Sequence, residues 1–157
     1  MLINDSYNQN GPAVGFRYNL NILGKTDSDE AGFSEISGLS AELETESFNA
    51  GGENYLVYHL PKQIKTTPLV LKRGLFSLGS EIIDWVKETI NKGFPEQIQT
   101  EDIVIQLMNE KNEPIIIWTI HDAYPTKWEL NGFNAMENKL AIETITFNYT
   151  NFEIEFN

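Results

Sequence analysis

Apolar positions in this chain repeat with a period of two over most of its length. Val14, Phe16, Tyr18 and Leu20 alternate with Gly15, Arg17, Asn19 and Asn21. That alternation predicts a strand with one buried face, ending at Gly24 before a charged loop from Lys25 to Glu30. Phe33 to Glu46 reads as a second extended region, with Gly38 as a bulge or bend inside it. Pro68 to Lys72 is a short strand. Ile103–Met108 and Ile115–Ile120 are rich in β-branched residues and flank Asn109–Pro114, which predicts a hairpin. Further strand is expected around Trp128, over Lys139–Phe147, and at the tail Phe152–Phe156, whose clean alternation suits an edge strand.

One segment changes period. Ile82, Ile83, Val86 and Ile90 recur at helical spacing, with Trp85 beside them. Ser80 is placed to cap the helix, Glu81 suits its first turn, and Gly93 before Phe94-Pro95 stops it. One helix among six or more strands predicts a mainly β protein with a minor α contribution. The expected architecture is a small antiparallel β-barrel or sandwich of about six strands flanked by one α-helix. Residues 1–13 are polar, close on Gly11-Pro12, and are expected to form a flexible N-terminal arm; residues 14–157 are expected to form a single domain.

Asn49 to Lys65 stands apart. It contains Gly51-Gly52 and Pro61, yet also Tyr55, Leu56, Val57, Tyr58 and Leu60. It reads as a long connection too apolar for an ordinary exposed loop, which suggests cover by a neighbouring subunit. Just before it, Glu42, Glu44 and Glu46 fall on one face of the preceding strand. They make either a solvated face or a patch lining a shared aqueous channel.

Charge narrows the function. The chain has 157 residues with 23 Asp and Glu against 11 Lys and Arg, a formal net charge of -12. Recognition of duplex nucleic acid requires clustered Lys and Arg, so none is expected. There is no cysteine, which removes disulfides and thiolate chemistry. Met1–Gln9 has neither the basic nor the apolar region of a secretory signal. Pro114–Ile120 falls far short of the roughly 20 apolar residues of a membrane helix. The expectation is a protein without a membrane segment, assembled in the cytoplasm.

Chemistry is sparse. A zinc site built from the two histidines, His59 and His121, would need carboxylate partners that the sequence does not place. His121 and Asp122 point opposite ways if on a strand. No phosphate-binding loop, nucleophile elbow or metalloprotease motif is present. No enzyme activity and no cofactor are therefore expected. A β-barrel hydrolase or sugar-binding module would need a pocket with converging polar groups, which no residue pattern marks.

An ordered series of segments carries a resemblance. Pro12-Ala13-Val14-Gly15-Phe16-Arg17-Tyr18 is followed by Gly32-Phe33-Ser34-Glu35-Ile36-Ser37-Gly38-Leu39, which is similar to a "GFSEVSGL" segment. Then come Gly51-Gly52-Glu53-Asn54, Leu71-Lys72-Arg73-Gly74 and Trp85. Trp118 with Ala123-Tyr124-Pro125-Thr126-Lys127-Trp128 resembles a "W…NAxPxKW" element, and Asn134-Ala135 through Asn138–Glu143 a closing strand. Together these resemble the tail-tube proteins of contractile phages and of extracellular contractile injection systems. Ser47-Phe48-Asn49-Ala50 departs from the pattern by lacking charge.

The resemblance implies a structural subunit of a phage-tail-like particle. It implies homo-hexameric rings stacked into a hollow tube, with sheath and baseplate proteins as partners and effector cargo possible in the lumen. Contacts between subunits or rings are then expected at Phe48, Gly51, Gly52, Glu53, Asn54, Tyr55, Tyr58, Lys72 and Arg73, with Glu42, Glu44 and Glu46 facing the lumen. The alternatives are a tube initiator beside the baseplate and a type VI secretion tube protein.

Overall fold

The computed structural model describes residues 17–25, 30–49, 51–52, 56–74, 80–92, 97–132 and 141–157. The barrel begins with β1 (Arg17–Ile22), in which Leu20 and Ile22 are fully buried and Asn19 and Asn21 half-buried. The chain continues through β2 (Glu30–Ser37), β3 (Ala41–Asn49), β4 (Val57–Thr66), β5 (Leu69–Gly74), α1 (Glu81–Lys92), β6 (Glu101–Met108), β7 (Pro114–Asn131), β8 (Ile142–Asn148) and β9 (Asn151–Phe156).

Strands β6, β1, β2, β5, β8 and β7 are neighbours in that order, and β7 pairs again with β6. All the pairings are antiparallel, so six strands close into a barrel without an edge. The expected six-stranded barrel is therefore the body of the fold. Outside it, β9 adds to β7, while β3 and β4 form a separate two-stranded sheet.

The inward positions are those the alternation selects. Leu69 and Leu71 on β5, Ile103 and Ile105 on β6, and Ile145 and Phe147 on β8 have no exposed surface. Burying each of these side chains stabilises the fold by about 1.5–3 kcal/mol. Helix α1 lays Ile82, Ile83, Trp85 and Val86 on this core, and Trp85 stacks on Phe147 with ring centroids 5.6 Å apart. Ser80 Oγ accepts a hydrogen bond from the Ile83 amide at 3.3 Å, which is the expected cap.

Three elements differ from expectation. Val57 to Thr66 is not loop but the strand β4, paired with β3 from Asn49↔Val57 to Ala41↔Thr66. Pro61 is tolerated there because β4 is an edge strand. Second, β7 does not end near His121 but runs 18 residues. Its first half pairs with β6 and β9 and its second with β8. The strand bends at Asp122, whose φ is +52°, and Asp102 Oδ1 accepts the Asp122 amide at 3.0 Å, which keeps the bend satisfied.

Third, Arg73 faces the barrel interior. Its Nε donates to Glu143 Oε2 at 2.6 Å, its guanidinium lies 5.2 Å from the Phe33 ring centre, and Trp128 Nε1 donates to Glu143 Oε1 at 2.7 Å. The Arg73–Glu143 charge pair is thus held inside the chain, where mutual neutralisation and the indole bond offset part of its desolvation.

Candidate assembly surface

The β3–β4 hairpin is the most exposed part of the described chain. Every residue from Val57 to Lys65 is exposed, and on β3 only Glu44 is half-buried. Register assigns its faces. Leu43 pairs with Ile64 on one face; Glu42 pairs with Lys65, Glu46 with Leu60 and Phe48 with Tyr58 on the other. Ile64 is 67% exposed, Phe48 58% and Tyr58 52%. An isolated two-stranded hairpin is marginal in water, because neither face buries enough surface to offset the ordering of its backbone. This one displays large apolar side chains on both faces.

The three carboxylates do share one face, but not alone. Lys65 pairs with Glu44, and Lys62 Nζ lies 3.3 Å from Glu46 Oε2. The Lys65 ammonium, hydrogen-bonded to Glu44, holds that carboxyl below its ordinary range, and Glu44 in turn raises Lys65. The face is thus a mixed-charge ladder with an acidic excess of one, leading to an apolar end at Phe48, Tyr58 and Leu60.

The other expected contact residues spread over three places. Gly51 and Gly52 form the turn after β3; Gly52 has φ +114° and open space around it, so its backbone, not crowding, calls for glycine. Glu53, Asn54, Tyr55 and the arm 1–13 lie outside the described residues. Lys72 is half-buried on β5 and meets Glu35 at 2.9 Å, whereas the neighbouring Arg73 turns inward to Glu143. Lys72 and Arg73 therefore occupy opposite faces of one strand, and only Lys72 presents its charge outward.

Among the described residues no three His, Asp or Glu side chains are grouped so that they could hold a metal ion. His59 Nδ1 meets Ser47 Oγ at 3.4 Å. His121 Nδ1 lies 3.1 Å from Asp102 Oδ2, and its Nε2 3.9 Å from Glu153 Oε1, which ties β7 to β6 and β9. Among the described residues no helix is long and apolar enough to cross a membrane.

The hairpin root has no signature in the sequence. Gly38, with φ +89°, separates β2 from β3 and packs against Pro68 at the entry to β5. Tyr149, at the corner between β8 and β9, reaches that root from the barrel: its hydroxyl donates to Gly38 O at 3.1 Å. Gly38 was legible as a bend; nothing in the sequence links it to a tyrosine so far along the chain.

Solved structures share this architecture. The chain is similar to a chain in the extracellular contractile injection system PVC sheath-tube complex in its extended state, at 25% identity and a TM-score of 0.75, covering 95% of each chain. It is also similar to a chain of the anti-feeding prophage baseplate, at 28% identity and a TM-score of 0.72, covering 93% of this chain and 97% of that one. Hcp1 from Flavobacterium johnsoniae shares the fold at 15% identity and a TM-score of 0.54, covering 89% of this chain and 95% of that one. No curated protein matches the chain. The family model described as T4-like virus tail tube protein gp19 matches residues 14–153. With an edge-free barrel, an exposed hairpin and that match over nearly its whole length, the chain belongs to the T4-like tail tube protein family, whose members build tubes and are not enzymes.

Proposed function

We propose that this chain is the inner-tube subunit of a contractile injection particle. Six copies close into a ring, and rings stack into a hollow tube inside a sheath, ready to carry cargo or puncture a membrane. The observation that carries this reading is the β3–β4 hairpin, which exposes Leu43 and Ile64 on one face and Phe48, Tyr58 and Leu60 on the other. Such surface favours cover by a second copy, because leaving it in water forfeits its hydrophobic stabilisation.

Strand edges support the same reading. The far edges of β3, β4 and β9 have no partner strand among the described residues. Unpaired edges invite pairing between chains, and a head-to-tail contact closes a ring if its rotation allows. We assign the contacts between subunits and rings to Phe48, Gly51, Gly52, Tyr58 and Lys72, with Glu53, Asn54, Tyr55 and the arm 1–13 joining them. Glu42, Glu44 and Glu46 face the lumen, where their acidic excess repels acidic cargo and limits sticking.

A second reading has its own support. The similarity to a chain of the anti-feeding prophage baseplate favours a tube initiator at the baseplate. Electron microscopy of the purified full chain separates the two. Sixfold hollow rings that stack into long tubes are expected for the main tube subunit. Single rings that never elongate would transfer the chain to the initiator role, and a persistent monomer would overturn self-assembly through the hairpin.

A further inference from the structure

We infer that the Tyr149 hydroxyl is a positioning group that sets the angle between the β3–β4 hairpin and the barrel, acting through the carbonyl of Gly38. The inference rests on the reading of the hairpin as the assembly arm.

The hairpin joins the barrel through two short crossings, Gly38–Ser40 into β3 and Thr67–Pro68 out of β4. They touch backbone to backbone. A Cβ added at Gly38 would sit 1.9 Å from the Pro68 carbonyl oxygen, and φ there is +89°. Both facts require glycine. The Gly38 carbonyl oxygen then collects three donors: the Thr67 hydroxyl, the Ser40 amide at 3.0 Å and the Tyr149 hydroxyl at 3.1 Å. The first two come from within the root itself. The third comes from the barrel.

Tyr149 holds the first crossing and the last residue of β4. Its hydroxyl also approaches Ser40 O at 3.5 Å, and its own carbonyl accepts from Thr66 Oγ1 at 3.5 Å. Ser40 O receives the Thr67 amide at 3.3 Å, and the Ser40 and Thr67 hydroxyls meet at 2.8 Å, so the crossings move as one body. The Tyr149 ring is fixed independently: it is 7% exposed and packs edge-on against Phe152 with centroids 6.1 Å apart. Burial pushes the phenol above its ordinary pKa, so it remains a donor across neutral pH.

Leverage gives the contact its consequence. A strand of nine residues is about 30 Å long at about 3.3 Å per residue. A rotation of about 10° at the root displaces the far end by about 5 Å, beyond the roughly 4.5 Å within which apolar side chains touch. An assembly arm ending in Phe48 and Tyr58 therefore needs its root angle fixed before a partner arrives.

The test is Tyr149→Phe in the full chain, which keeps the ring and removes only the hydroxyl. Hydrogen exchange is read by peptide across the root and hairpin and, as control, across β6 and β8, with microscopy of assembly alongside. Expected is exchange about fivefold faster at the Ser40 and Thr67 amides and along the hairpin, as loss of one hydrogen bond implies. Barrel exchange should stay unchanged and tubes should become short or irregular. Thr67→Val, which removes a second donor to the same carbonyl, should give the same local pattern. Unchanged exchange at the root would overturn the inference. A uniform rise across the barrel would overturn it too, by making Tyr149 a support of the whole fold. Faster root exchange with normal tubes would leave the clamp standing and overturn the hairpin's role as assembly arm.

Discussion

The side chains that decide most at the residue scale are charged ones that sequence order keeps apart. Arg73 and Glu143 lie 70 positions from each other and meet in the core, with exposures of 6% and 2%. Removing one partner leaves an uncompensated buried charge. Arg73→Met should therefore destabilise the chain by about 3–5 kcal/mol in urea titration, while Arg73→Met with Glu143→Leu should recover most of that. A residue of about 1 kcal/mol is expected to persist, because Trp128 Nε1 loses its acceptor. If the double variant were no better than the single, the charge pair would not be the cause. Asp102 makes a pH-dependent contribution. The Asp122 amide donating to its carboxylate, with His121 beside it, holds its carboxyl below the ordinary range. A carboxyl lower in the folded state stabilises above its unfolded pKa and loses that contribution as pH falls through the folded value. Asp102→Asn should thus flatten the fall of Tm below about pH 4, and an unaltered acid limb would refute the assignment.

Two elements show how far pattern reaches. On β8, Glu143, Ile145 and Phe147 are buried and alternate with more exposed residues, so the strand is legible from its period. On β4 the same rule fails. The strand buries neither face, so nothing in folding the single chain selects for alternation, and Pro61, Lys62 and Lys65 sit beside Val57, Leu60 and Ile64. Its apolar content was visible; its strand character was not. The same exposure makes a clean prediction. Phe48→Ser with Tyr58→Ser should change barrel stability by less than about 0.5 kcal/mol, as surface substitutions do. Rings and tubes should be lost. Chemical denaturation and sedimentation read the two effects separately, and a loss of both would place these side chains in the core of the protomer instead. β7 carries a related lesson. Its turn-like His121-Asp122 lies inside the strand because Asp102 and the Thr150 amide, at 3.0 Å from His121 O, satisfy the backbone at the bend.

For the whole molecule, the net charge of -12 opposes the association that the hairpin favours. Like-charged copies repel over a distance set by the Debye length, about 30 Å at 0.01 M salt and about 8 Å at 0.15 M. Assembly should therefore increase as ionic strength rises from about 0.01 to about 0.15 M, and light scattering against salt measures it. Assembly that weakened with salt would mean that interchain ion pairs such as those open to Lys72, rather than apolar cover, dominate the contact.

The sequence by itself determined the strand period, the one capped helix with its stripe Ile82, Ile83 and Val86, and the acidic balance. These are local quantities: a residue's preference, its neighbours two or four places away, and a sum of charges. The pairing of β1 with β6 and of β5 with β8, the inward turn of Arg73 to Glu143, and the grip of Tyr149 on Gly38 were decided only in three dimensions. Each joins positions far apart in the chain, and register, not composition, determines which side chains then face each other.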